Sequence, residues 1–158
     1  MTAIKDPENT LIIETTKGKV VIAMRPDLAP GHVAHIKKLA REGFYDGIVF
    51  HRVIPNFMAQ TGCPKGTGTG NSKYPDLKAE FNKEPHVRGT ASMARASSPN
   101  SANSQFFICF GDSGFLDGQY TVWGQVVDGM DNVDKIKTGE PVQNPDKMIS
   151  VKVAADVK

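Results

Sequence analysis

The β-branched and aromatic residues of this chain fall in short runs, and nearly every run is stopped by a glycine, a proline or a polar cluster. Such runs are too short for long helices and read as strands of a half-buried sheet, in which successive side chains face opposite sides. TLIIETT at 10–16 and KVVIAM at 19–24 read as a hairpin turning at Lys17-Gly18. IVFHRVI at 48–54 reads as a strand ended by Pro55, and FMAQT at 57–61 continues extended. TASMARA at 90–96 alternates weakly, QFFICF at 105–110 and YTVWGQVV at 120–127 are further strands, and MISVKVAADV at 148–157 closes the series. Two helical patterns interrupt them. Val33, Ile36, Leu39 and Ala40 recur at helical spacing over 31–42, with Pro30 in the first turn and Gly43 at the C-terminal cap. Residues 130–137, MDNVDKIK, predict a shorter second helix. About eight strands and two helices favour a sandwich or a closed barrel, and strand count alone does not choose between them.

A chain of 158 residues reads as one domain over 1–158, with 1–9 as an N-terminal extension. The formal charge of +2 is too small for a nucleic-acid partner, which needs clustered basic residues on one face. Lys37, Lys38 and Arg41 are read as the solvated face of the first helix. The N-terminus lacks the apolar stretch of a signal peptide, and no run reaches the ~18 apolar residues of a membrane span. A cytoplasmic protein with no membrane partner is therefore expected. Cys63 and Cys109 suit a reducing compartment rather than a disulfide scaffold. Residues 62–76 form a polar, glycine-rich stretch without the GxxxxGK[ST] spacing of a phosphate cradle, so a surface loop is expected.

The chemistry concentrates in FHRVIPNFMAQTG at 50–62. In an extended chain Phe50, Arg52 and Ile54 share a face, and an arginine there is expensive unless it faces a groove or a partner. Pro55 bends the chain, and Phe57, Met58 and Gln60 follow. One cation, large apolar side chains and an amide suit a shallow pocket for an apolar ring beside a polar amide. SMARASSPNSANSQFF at 92–107 adds backbone near Ala94, Arg95 and Ala96 that could pair with an extended peptide. It also puts Gln105 and Phe107 on one face, and FLDGQY at 115–120 adds Phe115, Leu116 and Tyr120.

FHRVIPNFMAQTG closely resembles the signature of the cyclophilin family, and SQFFI, FLDG and the VWGQV strand resemble its second half in the same order, from about residue 10 to residue 156. The resemblance implies a mainly β fold: a closed eight-stranded antiparallel barrel capped by two helices, with the active groove on its outer wall. It implies a peptidyl-prolyl cis/trans isomerase that assists protein folding, acts on proline-containing polypeptides, and uses no metal or cofactor. It assigns catalysis to Arg52 and Gln105. It assigns substrate binding to Ile54, Phe57, Met58, Gln60, Ala94, Arg95, Ala96, Phe107, Phe115, Leu116 and Tyr120. A monomer is expected. Three departures stand out. Phe115 occupies the place of a tryptophan whose indole N–H contacts cyclosporin in many members. Phenylalanine has no such donor, so cyclosporin binding is expected to be weakened. Tyr120 stands where many members carry histidine. Arg95 replaces an asparagine of eukaryotic members, resembles bacterial ones, and is expected to act mainly through its backbone.

The residues suffice for such a reaction. Rotation about a peptide bond faces a barrier of ~18–20 kcal/mol, and an enzyme turning over at ~10–10³ s⁻¹ must remove about 4–7 kcal/mol of it. In the twisted state the proline nitrogen is pyramidal with a free lone pair, so a donor such as Arg52 binds that state selectively. The alternative is a non-catalytic proline-peptide binding module or chaperone on the same scaffold, which has no need of the arginine. Among the simpler readings, His51 points away from Arg52 as a structural, hydrogen-bonded histidine. His32 and His35 lack a third metal ligand at matching spacing, and Cys109 in an aromatic strand is an inert thiol rather than a nucleophile.

Overall fold

The computed structural model describes residues 6–140 and 142–157, so residues 1–5 of the N-terminal extension lie outside the described part. Strand β1 (Thr10–Thr15) and strand β2 (Gly18–Met24) form the first hairpin. Its turn is Thr16–Lys17, one residue earlier than the sequence suggests. Gly18 is already paired with Thr15, and it takes φ +127 in a place where a Cβ would lie 2.6 Å from the Asn132 side chain. The Thr15 hydroxyl donates to the Gly18 carbonyl at 2.6 Å and closes the hairpin.

Helix α1 (Pro30–Arg41) turns Val33, Ile36, Leu39 and Ala40 into the core. Ala29 at its N-cap offers no side-chain acceptor. The Glu80 carboxylate supplies one instead, accepting the Gly31 and His32 backbone N–H groups at 3.1 and 2.7 Å. Strands β3 (Arg52–Ile54), β4 (Met58–Thr61), β5 (Thr90–Met93), β6 (Phe106–Cys109) and β7 (Val122–Asp128) follow. Helix α2 spans only Met130–Val133 rather than 130–137, because the Lys135 and Ile136 N–H groups bond three residues back and tighten the chain into turns. Val133 and Ile136 are nonetheless both buried. Strand β8 (Met148–Val153) completes the set.

All paired strands are antiparallel and form one sheet in the order β3-β4-β6-β5-β7-β2-β1-β8. The sheet curls but is not the closed barrel that the resemblance implies, since edge strands β3 and β8 do not pair with each other. The segment before β3 spans that gap instead. It makes one isolated bridge, Val49 to Lys147, with hydrogen bonds from Gly47 to Met148, Met148 to Ile48 and Phe50 to Asp146. The same irregularity overturns a second expectation. Phe50 does not share a face with Arg52: it packs in the main core together with Val53, three residues further on, whereas regular alternation would put those two on opposite faces. The chain leaves strand geometry at Phe50 and His51, so the alternation restarts at Arg52.

Two apolar clusters lie on the two sides of β3, β4 and β6. Val53, Ala59, Phe106 and Ile108 face the main core, where the Phe106 ring meets Trp123 edge-on at 5.3 Å. Met58, Phe107 and Cys109 face outward into a smaller cluster with Leu116. The outward row, not the main core, forms the floor of the candidate site.

Candidate active site

Strand register builds the site. Arg52 pairs with Gln60, Gln60 with Phe107, and Phe107 with Ser92, so one row crosses β3, β4, β6 and β5 on the outer face. A cavity of about 130 Å³ opens on this face. Arg52, Phe57, Met58, Gln60, Ala94, Arg95, Phe107, Leu116 and Tyr120 line it. Its floor is apolar: Met58, Phe107 and Leu116 are all buried. Tyr120 stands edge-on to Phe107 with ring centroids 5.8 Å apart.

Arg52 Nε donates to Glu140 Oε1 at 3.0 Å, and Nη1 donates to Gln60 Oε1 at 3.3 Å. Nη2 has no hydrogen bond to a described residue. The pair with Glu140 is at the surface, with side chains 40% and 60% exposed, so it orients the guanidinium without sealing it inside. Gln60 Nε2 in turn donates to Gln105 Oε1 at 3.1 Å. Gln105 Nε2 donates to the Gly68 and Gly70 carbonyls at 2.9 and 3.1 Å.

Gln105 does not line the smaller cavity. With Ala96 it lines a neighbouring one of about 330 Å³, and both ends of its amide are occupied by protein. It therefore reaches Arg52 through Gln60 rather than presenting a free amide. Ile54 packs against the outer cluster without reaching either cavity. Phe115, 67% exposed, sits outside the cavity with its ring 5.5 Å from that of Phe57. Ala94 donates its N–H to Gln105 O and Ala96 donates its N–H to Ser101 Oγ. The Arg95 N–H and C=O between them have no partner among the described residues, which leaves an edge for an extended peptide. The Arg95 side chain, expected to contribute little, lines both cavities and lies 4.8 Å over the Tyr120 ring.

Sequence reasoning missed two contributors. Glu140 comes from the loop after α2, and nothing local marks it. His86 is buried in a polar connection, with its ring stacked on Phe107 at 6.1 Å. Its Nδ1 lies 2.9 Å from Asp117 and its Nε2 lies 3.0 Å from Ser92 Oγ. The His86 backbone N–H, then its ring, hold Asp117 below the usual carboxylate range. His51 is buried, and its Nδ1 has no hydrogen-bond partner among the described residues, contrary to the expectation of a bonded histidine. His32 meets Glu80, which lies 48 residues further along the chain and which spacing could not reveal. Burial pushes the Cys109 thiol up to about 12, consistent with an inert group.

The family model for cyclophilin type peptidyl-prolyl cis-trans isomerases matches residues 10–155. A protein of Brucella suis described as a probable peptidyl-prolyl cis-trans isomerase is 60% identical over 97% of this chain and 86% of its own. A peptidyl-prolyl cis-trans isomerase of Synechococcus elongatus is 45% identical over 92% of this chain and 96% of its own. Among solved structures, a cyclophilin from Hirschia baltica superposes with a TM-score of 0.90 at 33% identity, covering 97% of this chain and 76% of its own. A Cryptosporidium parvum cyclophilin crystallised in the presence of the dipeptide Ala-Pro superposes with a TM-score of 0.85 at 25% identity, covering 91% and 98%.

Proposed function

The chain belongs to the cyclophilin-type peptidyl-prolyl cis-trans isomerases and carries that activity, and from this premise we propose that the outer-face cavity is where the Xaa-Pro bond turns. The proline ring enters the 130 Å³ cavity against Met58, Phe107 and Leu116. The Ala-Pro dipeptide used with the Cryptosporidium relative supports a ligand of this class. The observation that carries the reading is Arg52 on the wall of that cavity, held by Glu140 and Gln60, with Nη2 free among the described residues.

The reaction needs no proton transfer and no covalent intermediate. As the amide twists, its nitrogen loses conjugation and gains a lone pair, and the Arg52 guanidinium donates to it. A planar amide nitrogen accepts no such bond, so the interaction stabilises the transition state alone. Gln105 and Gln60 are positioning residues that fix Arg52 Nη1. The exposed Arg95 backbone edge aligns the peptide, and orientation supplies the remainder. A charge-assisted hydrogen bond of about 1.5–3 kcal/mol corresponds to about 10- to 100-fold in rate. Arg52→Ala should lower kcat by that factor in a coupled protease assay on an Ala-Pro peptide, with circular dichroism unchanged. Full activity would overturn the assignment and favour the binding-module alternative.

The pairing of β1 with β8 ties the beginning of the matched region to its end and supports a single domain over 1–158. A monomer acting on folding polypeptides in the cytoplasm completes the proposal. Both cysteines are free, as a reducing compartment would keep them. Among the described residues no helix is long and apolar enough to cross a membrane.

A further inference from the structure

The chain has five arginines, and four of them face a carboxylate. Arg25 meets Asp27, Arg41 meets Glu8 and Asp156, Arg52 meets Glu140, and Arg88 meets Asp134. Arg95 has no carboxylate partner among the described residues, and it is the arginine set between the two cavities. It is held in place. Nε donates to Gln119 O at 3.0 Å, and Nη1 donates to Ala96 O and Ser97 O at 2.9 and 3.2 Å. Neutral carbonyls and the face of Tyr120 fix the guanidinium but leave its charge uncompensated, and Nη2 has no hydrogen bond to a described residue.

The larger cavity is built to match. Its other walls include Thr69, Asn71, Ser101 and Asn103, which are hydroxyls and amides, and no acidic residue lines it. It shares Gln60, Ala94 and Arg95 with the proline cavity, so a peptide anchored in one extends over Arg95 to the other. A pre-positioned cation with a free donor edge, beside a polar cavity without an acid, is complementary to a carboxylate supplied by the ligand.

We propose that Arg95 is a specificity-determining residue that makes this isomerase favour peptides carrying an acidic side chain close to the proline. This rests on the placing of proline in the 130 Å³ cavity and names the substrate class that the site prefers. A purely structural Arg95, packing Tyr120, would affect all peptides alike.

The test is a protease-free NMR exchange assay on peptides that carry Glu, Gln or Lys in turn at the three positions before and the two after proline. At one or more positions the native enzyme should turn over Glu peptides with a kcat/KM about fivefold or more above Gln, with Lys below Gln. That ratio should shrink on raising salt from about 0.05 to 0.5 M. Arg95→Gln should bring the Glu/Gln ratio to about one whatever its absolute rate, and Arg95→Lys should keep a Glu preference. Equal turnover of Glu and Gln at every position, or a ratio unchanged in Arg95→Gln, overturns the inference. If Arg95→Gln does not fold, the native ratios and their salt dependence decide alone. No turnover of any peptide would instead sink the site reading beneath it.

Discussion

The role proposed for Arg52 depends on how its planar fork is divided: Nε to Glu140, Nη1 to Gln60, and Nη2 without a hydrogen bond to a described residue. The aromatic rim is the other residue-level determinant. Phe115 is largely exposed beside Phe57 and offers no donor, so the weakness toward cyclosporin expected from the resemblance would lie in one missing hydrogen bond. A neutral hydrogen bond adds about 0.5–1.5 kcal/mol, or about 2- to 10-fold in affinity. Phe115→Trp should lower the cyclosporin concentration for half-inhibition by that factor while leaving the fold unchanged, measured by inhibition of peptide turnover. An unchanged value would place the determinant elsewhere. At this scale the sequence was legible wherever a side chain's placement follows from strand alternation, as for Arg52, Met58, Gln60 and Phe107, which line one cavity. It was silent about Glu140 and His86, whose positions depend on loops that fold back from distant parts of the chain.

At the scale of elements, β4 and β6 must approach closely enough for Gln60 and Gln105 to meet. Gly62 ends β4 with φ +94, and a Cβ there would lie 2.3 Å from Ser104 O and 2.9 Å from Gln105 Cα. Gly62→Ala combines a left-handed conformation, costing about 1–2 kcal/mol, with a displaced backbone. It should lower stability by at least about 2 kcal/mol in urea unfolding and reduce isomerase activity with it, because Gln105 moves. A variant as stable as the native protein would show that the close approach is not needed. Hydrophobic period located the strands and α1 well. The Phe50 face went astray because the chain breaks strand geometry at Phe50–His51, and no composition cue marks that break; the closed barrel was implied by the resemblance alone, and strand patterns do not decide closure.

For the whole molecule, burial sets the response to acid. Burial pulls His32, His35 and His51 below the usual histidine value of about 6.5, with Glu80 opposing this at His32. Below that value the unfolded chain takes up protons that the folded chain refuses, so stability rises with pH and is lost as pH falls from 7 toward 5. The carboxylates of Glu80, Asp117 and Asp134 are held low and keep their contribution through that window. The urea midpoint should therefore be lower at pH 5 than at pH 7, and a flat profile would mean that the three rings are not buried neutral. The sequence by itself determined the strands, the first helix and the identity of the apolar floor, since alternation and turn residues act over a few positions. Only the tertiary structure decided that the sheet stays open between β3 and β8, that Gln105 meets Gln60 instead of lining the smaller cavity, and that Arg95 has no carboxylate partner among the described residues. Those outcomes depend on which distant groups arrive at hydrogen-bonding distance, and local pattern carries no record of that.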